Sequence, residues 1–349
     1  MSTALDLRAD ERPRWLPSTA FLLLQFSPLL ILFTGVSVKS VLLCVAMYVT
    51  RMWFITAGYH RYFSHRAFTT NRVFQFVLAF GGGAAAQKGV LWWAGHHRAH
   101  HRYTETEKDP HTPLKGLWHS HIGWIVTERW SPTDFDAIED FARFPELRFL
   151  NRHDWIAPWT FAVAAFLIDG WRGLVVGFFT STVLLWHATF CVNSLAHVMG
   201  RRRYATGDTS RNSVFVAVIT GGEGWHNNHH HYPPAARNGF FWWEYDPTYY
   251  VLKAMSWVGL VRDLRVPNEK VLAGPRIREG ALDVGILRSH VLKATGVTAR
   301  SRQLAGELAQ HGLEEVEAAL SGSIESAKAA ARGARRTVAP TATPAGDPT

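Results

Sequence analysis

The sequence predicts an all-α membrane protein: four transmembrane helices in two hairpins, carrying a cytoplasmic helical cap. Three observations predict it. Four apolar stretches come in two closely joined pairs, at about 20–36 with 38–59 and 155–171 with 173–195, each near the length that crosses a bilayer. The chain has 15 Trp in 349 residues, and Trp gathers where membrane meets water. About a dozen Lys and Arg lie between the two pairs, and Arg201, Arg202 and Arg203 follow the last stretch. The short turns inside the pairs hold only Lys39 and Arg172. By the positive-inside rule the chain is an integral, multi-pass protein with both termini and the long polar loops in the cytoplasm.

The elements follow in order. Residues 1–15 form a cytoplasmic N-terminal segment, and the mix of Arg8, Asp10, Glu11 and Arg12 does not read as a cleavable signal. Residues 16–265 form the main domain. The first apolar stretch is broken once, by Pro28, and the second runs into His60. A third apolar run, 73–93, contains three successive glycines. It reads as an embedded or interfacial helix, because a crossing there would put His60 and His65 across the membrane from the later histidines. The fourth predicted span runs into His197, so both hairpins end on a histidine. Residues 266–338 read as a partly helical cytoplasmic extension, with Leu313, Val316, Leu320 and Ile324 at helical spacing. Residues 339–349, rich in Pro, Ala and Thr, read as a disordered tail.

Composition excludes several classes. The net charge is +9, but the basic residues flank apolar spans instead of forming a stripe, so a nucleic-acid partner is not expected and membrane lipid or an acidic protein is. Two cysteines, Cys44 and Cys191, are too few for a disulfide framework or an iron–sulfur cluster. No GxGxxG fingerprint stands in a strand–helix context.

The chemistry lies in histidines. Residues 95–101 read Gly-His-His-Arg-Ala-His-His, so His97, His100 and His101 share one face of a helix. Residues 224–232 repeat the spacing with His226, His229 and His230. His60, His65 and His197 bring the set to nine, too many for one ion. Imidazole suits Fe, Zn, Cu and Ni alike. A hydrolytic zinc site keeps three protein ligands and an open position, so nine ligands favour a redox pair, compatible with two irons that bind oxygen. Ligand imidazoles need an acceptor on the second ring nitrogen, and Glu105, Asp109, Asp208 and Glu223 stand near the clusters as candidates. His119, His121, His153, His187, His290 and His311 are scattered and read as structural or surface groups. His96 and His231 adjoin the clusters without being needed, and His111 reads as a supporting group.

These motifs resemble those of the membrane fatty acyl desaturases, Δ9 (stearoyl-CoA) type. His60-Arg-Tyr-Phe-Ser-His65, His97-Arg-Ala-His-His101 with Asp109-Pro-His111, and Gly222-Glu-Gly-Trp-His-Asn-Asn-His-His230 are similar to the three histidine boxes, and Asn193-Ser-Leu-Ala-His197 to the additional ligand motif. The resemblance covers roughly residues 15–265. It implies that the nine histidines hold two Fe ions, that Asn193 reaches one through water, and that O2 is a co-substrate. The implied reaction is Δ9 desaturation of a C16–C18 fatty acyl group on coenzyme A. Tyr48 and Met52 would close the acyl tunnel. Electrons would come from a separate ferredoxin or cytochrome with its reductase. The family's Arg-Asp pair before the second box is replaced by Gly95 and His96, so the head-group site differs. A related acyl-lipid desaturase or fatty acid hydroxylase would carry the same boxes. A His-rich membrane metal transporter would instead place ligands at mid-membrane.

Overall fold

A computed structural model describes residues 11–277. The expected extension and tail, with His290 and His311, fall almost wholly outside the described residues.

The described chain is mostly helical. Its one small sheet pairs Thr69–Thr70 antiparallel with Val261–Arg262. Two helices are long and apolar enough to cross a membrane, Val38–Ser64 and Ile156–Val198. The first begins at a capping box, where Ser37 Oγ accepts from Ser40 N–H and Ser40 Oγ accepts from Ser37 N–H. The second run is 43 residues long, about twice what one crossing needs. It reverses at Asp169 and Gly170, whose dihedrals leave the helical region. Gly170 takes φ +55°, ψ −141°, a conformation open essentially to glycine. Beyond the turn, Phe178 packs in one cluster with Ala162 and Ala165. A straight helix would hold Ala165 and Phe178 about 20 Å apart. The turn rests on the start of the other long helix: Ser37 Oγ–H donates to Asp169 at 3.1 Å, and Lys39 Nζ donates to Ile168 O at 2.5 Å.

Two predicted elements differ in detail. The first apolar stretch is not one α-helix: Thr19–Leu24 and Ile31–Thr34 flank a 3-10 turn at Ser27–Leu30. Pro28 lacks an N–H, and the backbone tightens around it to i→i+3 bonds such as Leu29 N–H to Phe26 O. The 73–93 run is two helices, Arg72–Gly83 and Val90–Tyr103, separated by a turn in which Ala86 and Lys88 take positive φ. Gly81 and Gly82 let the first of these lie directly on Phe54 and Tyr59, where a Cβ would meet either ring at 2.4 Å. That contact seats it against the turn of chain that delivers His60.

Candidate metal centre

His60 and His65 are five residues apart, which on an α-helix puts them about 140° apart. The chain solves this locally. Phe54–Ser64 is a π-helix, a wider coil of i→i+5 bonds found at functional sites. His65 N–H donates to His60 O, closing one such turn and bringing both rings to the same side.

The other boxes ride on helices, as their spacing predicts. His97, His100 and His101 lie on Val90–Tyr103, and His226, His229 and His230 on the short helix His226–His231. The two asparagines inside the third box anchor that helix. Asn227 Oδ1 accepts from the backbone N–H of Arg203 and Tyr204 at 2.8 Å each, and Asn228 Nδ2 donates to Glu244 at 2.9 Å.

The nine histidines divide into two groups. His60, His65, His97, His101 and His229 form one, and His100, His197, His226 and His230 the other, each with its donor atoms within 4.8 Å of one another. Each HxxHH repeat gives its i, i+4 pair to one group and its middle histidine to the other. The Nε2 atoms converge: His97 to His65 at 2.8 Å, His101 to His229 at 2.9 Å, His197 to His226 at 3.0 Å, His60 to His229 at 3.1 Å.

On the far side, four of the nine rings face a carboxylate. His60 Nδ1 stands 2.6 Å from Glu223, His100 Nδ1 2.9 Å from Asp109, His230 Nδ1 2.6 Å from Asp208 and His197 Nδ1 3.6 Å from Glu105. Each acid thus faces a different ring's Nδ1. A neutral imidazole that keeps its proton on Nδ1 presents a bare lone pair at Nε2. Lone pairs do not bond one another, and a shared cation removes the conflict. For metal–nitrogen bonds of about 2.1 Å, neighbouring donors of a coordination polyhedron stand roughly 3 Å apart, which is the spacing found. The residues therefore fit two metal ions.

Electrostatics agree. Burial first, and neighbouring imidazoles second, push His65, His97, His101, His226 and His229 well below the ordinary histidine value. Burial pushes His230 down to about 4 against the pull of Asp208. Burial works to raise the four acids, but His100, His230, His60 and His197 hold Asp109, Asp208, Glu223 and Glu105 below the usual carboxylate range. Those six lowered rings are thus kept neutral and the acids charged.

Other histidines have their own partners. His96 bonds Trp92 O through Nδ1 at 2.8 Å, and His231 bonds Val271 O and stacks on Tyr204. His121 and His187 bond each other at 3.0 Å and continue to Ser194 and Gln25. His111 is buried and lies with its ring 4.2 Å from that of His100. Its place directly after Asp109-Pro110 is the signal that pointed to it. Arg61 went unread in the sequence. It is fully buried beside His60, between Glu223 and Asp246.

A cavity of about 490 Å3 opens from His60, His97 and Asn193. Phe21, Leu24, Ile55 and Trp186 give it apolar walls. Gln87 bridges two of its lining residues: its Nε2–H donates to Thr189 Oγ1 at 2.8 Å, and its Oε1 accepts from Trp93 Nε1–H at 3.2 Å. Tyr48 and Met52 do not line it. Tyr48 OH donates to Ile219 O at 2.5 Å, and Met52 is core. Ile55 and Thr56, about one turn nearer His60, line it together with His60 from that helix.

Apolar helices long enough for a bilayer, two imidazole-rich groups that could hold metal ions and an adjoining apolar cavity are the features the class of membrane metalloenzymes combines. The sequence model of the fatty acid desaturase family matches residues 38–258, and the chain belongs to that family. It is 35% identical over 235 residues to an acyl-CoA C20 Delta5-desaturase of Anemone leveillei, covering 66% of this chain and 75% of the relative. It is 39% identical over 213 residues to an sn-2 palmitoyl-lipid 9-desaturase of Nostoc, covering 60% and 75%. A probable acyl-CoA desaturase of Schizosaccharomyces pombe is 37% identical over 250 residues, covering 69% and 52%. The chain is thus a desaturase-type oxidoreductase of lipid metabolism.

Proposed function

We propose that the protein desaturates a long-chain fatty acyl group with O2, at Δ9 of a C16–C18 acyl-CoA, using two irons and electrons from a separate ferredoxin or cytochrome and its reductase. The observation that carries the reading is the five-plus-four division of the imidazoles, four of them facing a carboxylate, at the head of an apolar cavity. His60, His65, His97, His101 and His229 would hold one iron; His100, His197, His226 and His230 the other, with Asn193 reaching the second through water. When bound, the irons supply an oxygen-derived oxidant strong enough to take two hydrogens from adjacent methylenes.

The protein's own residues do the rest. Glu223, Asp109, Asp208 and Glu105 keep the ring protons on Nδ1, so Nε2 is free to bind metal. The bonded trio of Gln87, Thr189 and Trp93 fixes the wall against which the acyl chain lies beside the irons. Four crossings, two of them arms of the reversed Ile156–Val198 run, would put the site at the cytoplasmic membrane face, where a chain can slide up from the bilayer. The basic cytoplasmic loops suit an acidic electron carrier.

A second reading, an acyl chain on a membrane glycerolipid, is favoured by the cavity's edge. Exposed Pro17, Ala20, Trp155 and Trp159 line it, and Lys88 is the one Lys or Arg among the lining residues. A polyanionic coenzyme would find little positive charge there.

The test is expression in a host that lacks unsaturated fatty acids, with lipid profiling. A cis-Δ9 C16 or C18 product is expected. A hydroxylated product, or none with two irons bound, would overturn the reading. Radiolabelled acyl-CoA against labelled phospholipid in reconstituted membranes decides the carrier.

A further inference from the structure

Arg51 is fully buried inside the Val38–Ser64 helix, two turns and more below His60. No carboxylate is among its partners. Its five N–H donors instead meet five neutral acceptors. Nε donates to Met47 O at 3.0 Å. Nη1 donates to Thr182 Oγ1 at 2.6 Å and Ala84 O at 3.3 Å. Nη2 donates to Ser181 Oγ at 2.5 Å and Phe178 O at 3.5 Å. Thr182 Oγ1–H donates to Phe178 O and Ser181 Oγ–H is shared between Gly177 O and Phe178 O, which leaves both hydroxyls' lone pairs to the guanidinium. The Phe178 ring covers it at 4.8 Å. A charge buried in a membrane helix without a counter-ion is costly and marks function by default.

What Arg51 holds is a loop. Ala84 ends the helix Arg72–Gly83, so the cation sits at that helix's negative pole. From there to Gly89 the backbone is bent through positive φ at Ala86 and Lys88, a strained state for residues with a Cβ. The loop's carbonyls are caught by side chains from elsewhere. Arg51 takes Ala84 O, Trp186 Nε1–H takes Ala85 O at 2.8 Å, and Tyr59 OH takes Lys88 O at 3.4 Å. Ala86, Gln87 and Lys88 line the cavity, and Gly89 caps the helix that carries His97, His100 and His101.

We infer that Arg51 is a positioning residue for selectivity: it pins the 84–89 loop to both long helices and so sets the shape of the acyl cavity without touching metal or substrate. The inference rests on the desaturase reading for its activity readout only. The variants are Arg51→Lys, which keeps the charge but has three donors, Arg51→Met, and Thr182→Val, which removes one acceptor and leaves the cation. Membrane-expressed protein is assayed for iron per chain, product chain length and double-bond position. Hydrogen–deuterium exchange over 84–92 is read in parallel.

Expected are unchanged iron content, a C16:C18 product ratio shifted about threefold or more in both Arg51 variants and less in Thr182→Val, and faster exchange over 84–92 in all three. Wild-type product ratios with wild-type exchange would overturn it. So would loss of iron and protein together in every variant, which is what a merely stabilising clamp gives. If the wild-type chain makes no unsaturated product, the desaturase reading falls, and the exchange rates alone decide the loop's dependence on Arg51.

Discussion

His230 Nδ1 lies 2.6 Å from Asp208 Oδ2, while its Nε2 stands 3.4 Å from His100 Nε2. The acid fixes which nitrogen carries the proton, and therefore which one can bind metal. Replacing Asp208 by Asn keeps the shape but removes the charge that holds the Nδ1 proton. The second group should then bind iron about 10- to 100-fold more weakly, with the first group less affected. Iron retained per chain in a chelator titration reads this. Equal retention by Asp208→Asn and wild type would mean the carboxylate does not support the ligand.

Alanine at any of the nine clustered histidines should abolish desaturation and lower iron below two per chain. His187→Ala should keep activity, because its ring bonds His121 and Gln25 instead of a cluster. One zinc and no iron in the purified wild type would sink the assignment.

The depressed histidines fix a pH dependence. Below about 6.5 the unfolded chain takes up protons that the buried rings of His65, His97, His101, His226 and His229 refuse. The unfolded state then binds more protons, so stability falls as pH falls. The acids add to this at lower pH: their contribution is present above the unfolded carboxylate values and is lost as pH drops through the depressed folded ones. The metal-free protein in detergent should therefore unfold at progressively lower temperature from pH 7 to pH 5. A midpoint that rises over that interval would contradict the burial of these rings.

Much of the site was legible because its signals are local. The HxxHH repeat is helical periodicity, and the structure puts those residues on helices. The four acids stood out by lying near the boxes, but their partners did not. Glu223 lies just before the histidines of the third box and faces His60 of the first; Glu105 sits beside the second box and faces His197. Such pairings are set by packing between distant segments. His60 and His65 share a face only through a π-helix, which no α-helical spacing announces. The break at 84–89 was hidden in an apolar run because Arg51 and Trp186 supply its hydrogen bonds from far away. The sequence separated the two apolar stretches at 171–173, and the turn falls two residues earlier, at Asp169 and Gly170.

The last prediction concerns where the acyl chain stops. The sequence resemblance put the closed end at Tyr48 and Met52, but those side chains are engaged in packing, and Ile55 and Thr56 line the cavity. Ile55 is five residues before His60, about one turn of the π-helix, nearer the site than Met52 or Tyr48. Ile55→Ala should open space there, and the double bond should stay at the same carbon from the carboxyl end, because head group and irons fix its position. Preference should move toward longer chains. Met52→Ala should do the same only if the cavity extends past Ile55 when a substrate fills it. Gas chromatography of products from both single variants and the double variant separates the cases. A shift in Ile55→Ala alone puts the floor at Ile55. A shift that needs both changes puts it at Met52. Unchanged chain length in all three, at retained activity, would show that this helix does not measure the chain.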